Sequence, residues 1–273
     1  MALTPYSSDD INQLSLDALV ERMDVVRLTA EKERYGSDQI EIKQQHTPFP
    51  QVKDLMSTST ARQMDEPQRR KLADATFRFL LQMDMLTVSS GISNAVYGPS
   101  YHEGVWVYPS HWMASAVLDQ YQIIASRIAL ECFFDLLYIA DCGKRMSDRS
   151  KFKAFKKWVV SPENPYKYFV GHIIAAFEFD REHRQKEVHG TSRFAHCLLR
   201  LEKPDSEELN ISLNLTNVLL NVWRPLIEIM NGIRPSSISV FNSCEGFAEK
   251  YFESHSDPVS FDNFIAEILA EKM

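Results

Sequence analysis

Apolar residues recur at helical spacing along most of this chain. Leu14, Leu16, Leu19, Val20, Met23 and Val26 predict a first helix over 10–34, opened by serine and aspartate suited to capping. Over 35–66 the periodicity breaks. Gly36, Pro48, Pro50 and the Ser/Thr cluster 57–60 read as a long connection with an extended piece at 39–43. Residues 1–66 are therefore expected to form an appendage, and 67–273 a helical domain.

Pro67 suits the start of a long helix carrying Leu72, Phe77, Leu80, Leu81, Met85 and Val88. Gly98 and Pro99 are expected to stop it, leaving an aromatic-rich loop over 101–110. A second long helix is predicted over 111–142, with Gly143 as its C-cap. A short helix follows near 150–159, then long ones from about 165 and over 206–230, the last kinked at Arg224-Pro225. Two shorter helices are expected near 243–253 and 258–271. The fold class is all-α: a four-helix-bundle-like core with additional N- and C-terminal helices.

Composition narrows the chemistry. Only 9 of the 273 residues are glycine, which disfavours Gly-rich phosphate loops and turn-dense β folds. The net charge is −7, so any contact with a polyanion depends on a local basic patch. Cys132, Cys142, Cys197 and Cys244 are scattered without C-x-x-C spacing, the usage of reduced thiols in the cytoplasm. No secretory signal is read at the start. The most apolar stretch, 123–140, is interrupted by Arg127, Glu131 and Asp135 in one stripe, so no membrane span is expected.

One basic patch stands out. Within 144–157, seven basic residues, among them Lys151, Lys153, Lys156 and Lys157, face a single acidic one, Asp148. Phe152, Phe155 and Trp158 interleave with them, a pattern that suits RNA tracking by phosphate attraction and base stacking. The same pattern also describes an amphipathic helix with its rings in the core.

A second stretch crowds polar chemistry into 179–190, FDREHRQKEVHG. Arg184 and His189 bracket four residues, with Gly190 directly after. Histidine moves protons near neutral pH, and arginine offers a permanent forked charge to phosphate. Together they supply what cleavage of a phosphodiester by its neighbouring 2′-hydroxyl requires, with no metal or cofactor. Arg181 and His183 are candidate auxiliary phosphate contacts, and equally suit a solvated helix face. Histidine spacing matches neither a zincin nor a di-iron motif, so no metal site is expected.

The R-x4-H element followed by glycine resembles the motif of the HEPN superfamily. The preceding segment 125–145, ASRIALECFFDLLYIADCGKR, is similar to the long helix before that motif. The resemblance spans about 112–230. It implies a compact, usually dimeric all-α domain, in many members a metal-independent endoribonuclease of toxin–antitoxin or antiviral systems. Arg184 and His189 match the two named positions. Members often carry Asn, Asp or His directly after the arginine, where this chain has Gln185. Expected partners are RNA, a second copy of the chain, and a protein such as an antitoxin or defence-complex subunit. Some members are binding modules without nuclease activity, so a non-catalytic HEPN-like interaction module is the alternative reading.

Overall fold

The computed structural model describes residues 6–35, 50–102, 105–106, 109–145, 158, 164–166 and 223–233, and they are predominantly helical. The chain divides into two compact units. The first combines Met1–Leu81, Cys132–Arg145 and Leu226–Arg234; the second combines Gln82–Glu131, Met146–Pro225 and Pro235–Met273.

The first expected helix is two. Helix α1 (Ser8–Gln13) is opened by a capping box in which Ser7 Oγ accepts from the Asp10 N–H and the Asp10 carboxylate accepts from the Ser7 N–H. It buries no residue. Leu14 adopts extended backbone (φ −62°, ψ 140°), and Ser15 Oγ then accepts from the Ala18 N–H at 3.3 Å. Helix α2 (Leu16–Tyr35) follows directly. The continuous apolar periodicity concealed this break, because Leu14 and Leu16 extend the pattern while Ser15 supplies a new cap.

Helix α2 buries Leu16, Val20 and Met23, and continues the same face with Asp24, Arg27 and Glu31. Inside the expected connection lie two short helices, α3 (Val52–Met56) and α4 (Ser59–Gln63). Val52, Leu55 and Ala61 are fully buried. Thr58 caps α4, its hydroxyl accepting from the Ala61 N–H. The Ser/Thr cluster that reads as a breaker is, at this position, a helix start.

Helix α5 (Glu66–Ser100) and helix α6 (Pro109–Cys142) are the two long elements. Helix α5 runs through Gly98 and Pro99 to its end. Pro99 has no N–H to give the Ala95 carbonyl, and the helix ends one residue later, at Ser100. Between the two helices, β1 (Tyr101–His102) and β2 (Val105–Trp106) pair antiparallel, Tyr101 opposite Trp106 and His102 opposite Val105. A two-residue ladder thus stands within the span expected to be loop.

Within the first unit, contacts between α5 and the end of α6 fix an antiparallel register. Asp74 meets Arg145, Arg78 meets Asp135 at 3.1 Å, and Phe79 meets Phe133 with ring centroids 5.0 Å apart. Positions rise on one strand of the hairpin as they fall on the other. Leu72, Phe79, Phe133 and Leu136 fill the core there. Gly143, at φ +66°, ends α6 by donating its N–H to the Ile139 carbonyl at 2.8 Å.

Helix α7 (Trp223–Met230) contains Pro225 as its third residue. Leu226 and Met230 are fully buried. Its end is a Schellman motif: Ile233 N–H reaches the Glu228 carbonyl, Gly232 N–H the Ile229 carbonyl, and Gly232 sits at φ +72°. Thr60 Oγ1 donates to the Met230 carbonyl at 2.8 Å, and the Ser59 N–H donates to Asn231 Oδ1 at 3.0 Å. Those two bonds join α7 to α4.

In the second unit Met83, Leu86, Ala125, Ala129 and Leu130 are buried along the long helices. Asn164 ties a small aromatic corner, donating to the Trp158 carbonyl at 3.2 Å and accepting from the Tyr166 N–H at 2.8 Å. Trp158 is 7% exposed and lies against Tyr166, so its ring is a core ring and unavailable for base stacking. The expected helices over 165–222, 243–253 and 258–271 and the rest of 150–159 lie outside the described residues.

Candidate functional site

The residues singled out for RNA chemistry, Arg184, Gln185, His189, Arg181, His183, Lys151, Lys153, Lys156 and Lys157, all lie outside the described residues. The described part of the chain nevertheless assembles a charged locality that the sequence did not announce, between α2 and the 50–69 segment of the first unit.

Its foundation is Asp24. Burial of a carboxylate is tolerated only where donors replace water. Here the Val52 N–H donates to Asp24 Oδ1 at 2.7 Å and the Lys53 N–H to Oδ2 at 3.0 Å, both at the opening of α3. One helical turn on, Arg27 Nη1 donates to the Pro50 carbonyl at 2.8 Å. Asp24 and Arg27 thus clamp the chain on both sides of Gln51. Asp54 accepts from the Gln51 N–H at 2.9 Å. Burial pushes the Asp54 carboxyl above its ordinary value, and the nearby Asp24 charge adds to the push, against the opposing Gln51 bond.

Beside this clamp opens a cavity of about 510 Å³. Helix α2 contributes Leu16, Asp17, Val20 and Glu21 to its lining. Lys53 and Met56 of α3, Arg62 of α4 and Arg69 of α5 complete the other side. Arg69 Nε is buried and has no hydrogen-bond partner among the described residues. Arg70, the next residue, is fully engaged: it pairs with Glu66 and donates to the Leu14 carbonyl at 2.7 Å.

The remaining charged and sulfur chemistry is structural. Asp135, from the expected polar stripe, is drawn inward to Arg78 rather than presented to solvent, whereas Glu131 is exposed. Arg78 Nε also lies 3.3 Å from Asp74, without hydrogen-bond alignment. The Cys142 thiol is pushed up to about 11 by burial and by the neighbouring Asp141, which disarms it as a nucleophile. Among the described residues no group of three or more His, Cys, Asp and Glu gathers to hold a metal, and no helix is long and apolar enough to cross a membrane.

No family model, curated protein or solved structure matches this chain. Its class therefore rests on the described residues, which are predominantly helical and in the first unit pair the start of α5 antiparallel with the end of α6.

Proposed function

We propose that this chain is a metal-independent endoribonuclease of the HEPN type, working as a homodimer in a toxin–antitoxin or antiviral defence setting. The observation that carries this reading is the Arg184-x4-His189-Gly190 element. The helical character of the described residues is compatible with it.

The chemistry follows from the two side chains. A 2′-hydroxyl loses its proton and attacks the adjacent phosphorus; the bond to the 5′-oxygen breaks, and that oxygen gains a proton. His189 serves as the proton acceptor or donor. Arg184 neutralises the charge that builds on the pentavalent phosphate, and Gln185 positions one of the two. The products are a cyclic phosphate and a free 5′-hydroxyl. One motif supplies little machinery, so a two-fold pairing of copies places two sets in one cleft. Lys151, Lys153, Lys156 and Lys157, with Arg181 and His183, hold the RNA backbone by charge.

The test is incubation of the purified protein with total RNA in the presence of a chelator. Fragments ending in cyclic phosphate are expected. His189→Ala and Arg184→Ala should each lower cleavage by about 10²–10⁴-fold while leaving helicity and Tm unchanged. Wild-type cleavage by the His189→Ala protein removes the mechanism. Gln185, where relatives of the motif carry shorter or basic side chains, favours a second reading: a non-catalytic module that binds a protein partner. Intact RNA together with a stoichiometric co-purifying protein selects that reading.

A further inference from the structure

We infer that the cavity between α2 and the α3–α5 segment binds a small zwitterion, its oxyanion held by Arg62 and Arg69 and its amino group by Asp17 and Glu21. Four features lead there. The volume, about 510 Å³, lies in the range of small-molecule sites. Charge is segregated by element: Asp17 and Glu21 stand one turn apart on α2, whereas Lys53, Arg62 and Arg69 come from three later helices. Among the described residues none of these five side chains forms an ion pair or a side-chain hydrogen bond, although they line one space. Finally, Arg69 Nε is buried without an acceptor.

That last feature is costly as it stands, because a guanidinium N–H withdrawn from water needs an oxygen to face. Turning the Arg69 side chain into the cavity, towards an incoming carboxylate or phosphate, provides it, and a guanidinium fork suits either oxyanion. Asp24 is not part of the anionic side, since two backbone N–H groups occupy its oxygens. Asp17 and Glu21 remain to receive an ammonium group, and Leu16, Val20 and Met56 provide an apolar lining for a short carbon chain. A purely anionic ligand meets two unneutralised carboxylates in the same space and is disfavoured. This site is independent of the RNA reading, since none of its residues belongs to the 151–189 set.

Titration calorimetry on the full chain tests it with three probes: 4-aminobutyrate, phosphoethanolamine and inorganic phosphate. At least one of the two zwitterions should bind saturably, and which of them binds more tightly distinguishes a carboxylate from a phosphate head. Arg69→Gln should weaken that binding about tenfold or more. Glu21→Gln should weaken zwitterion binding while strengthening the binding of inorganic phosphate, which no longer meets that carboxylate. Lys71→Gln removes an equal charge from an exposed position of α5 outside the cavity and should have no effect. The inference is overturned if neither zwitterion binds saturably, if inorganic phosphate binds as tightly as phosphoethanolamine, or if Lys71→Gln weakens binding as much as Arg69→Gln. A circular dichroism melt of each variant separates loss of the site from loss of the fold.

Discussion

Single residues decide whether the 50–57 segment holds to α2. Asp24 accepts two backbone N–H groups while only 5% exposed, so its truncation leaves two donors without partners. Asp24→Ala should cost about 2–4 kcal/mol in a urea melt, well above the effect of a surface substitution. Asp54 acts in the opposite sense. Its carboxyl is raised above the ordinary value, so the folded state holds that proton more tightly than the unfolded chain. The corresponding stability is present at low pH and is lost as pH rises through the raised value. Asp54→Asn retains an acceptor for the Gln51 N–H without the charge. The variant should therefore melt higher than wild type at pH 7, with the gap closing as the pH falls towards 4. A gap that stays constant over that range contradicts the burial argument.

At the scale of elements, the long helices were legible and the short ones were not. Helices α5 and α6 carry many apolar repeats each, and periodicity averages well over such lengths. Helices α3 and α4 have five residues each, too few for any period to register. What marks them is capping chemistry at Gln51 and Thr58, which reads in sequence as turn chemistry. The buried face of α2 was half concealed for a related reason: its second half consists of Asp24, Arg27 and Glu31, which look like solvent-facing residues until their partners are known. Gly143 was legible, since a glycine just beyond a helical repeat is the usual C-cap. Its φ is +66°, and an added Cβ would run into the flexible end of the Gln68 side chain, Nε2. Gly143→Ala should cost about 1–2 kcal/mol, chiefly from the left-handed backbone, because the glutamine end can swing aside. The measurement is equilibrium denaturation of the full chain; a neutral result removes the conformational explanation.

For the whole molecule, composition and patterning pointed to an all-α class, and the described residues are predominantly helical. The candidate zwitterion cavity stayed hidden because its charges come from four helices, and spacing along one element reveals only what that element presents. Arg62 and Arg69 belong to no motif that the sequence displays. The RNA-directed motif is the reverse case, a feature of local sequence alone, with Arg184 and His189 close enough in the chain to be read together. Cleavage assays and binding calorimetry therefore report on separate regions of the protein, and the outcome of one leaves the other standing.

Thr60 closes onto the Met230 carbonyl across 170 positions of chain, and Leu226 and Met230 are fully buried members of the first unit. During synthesis that seat stays vacant until the ribosome has released the segment beyond residue 230, at a translation pace of about 5–20 residues per second a delay of roughly ten seconds or more. The nascent first unit thus spends that interval without Leu226 and Met230, two of its fully buried apolar side chains. Holding chaperones are expected to bind it, and ribosome-stalled chains ending before Leu226 should be far more protease-sensitive than chains released past Ile233.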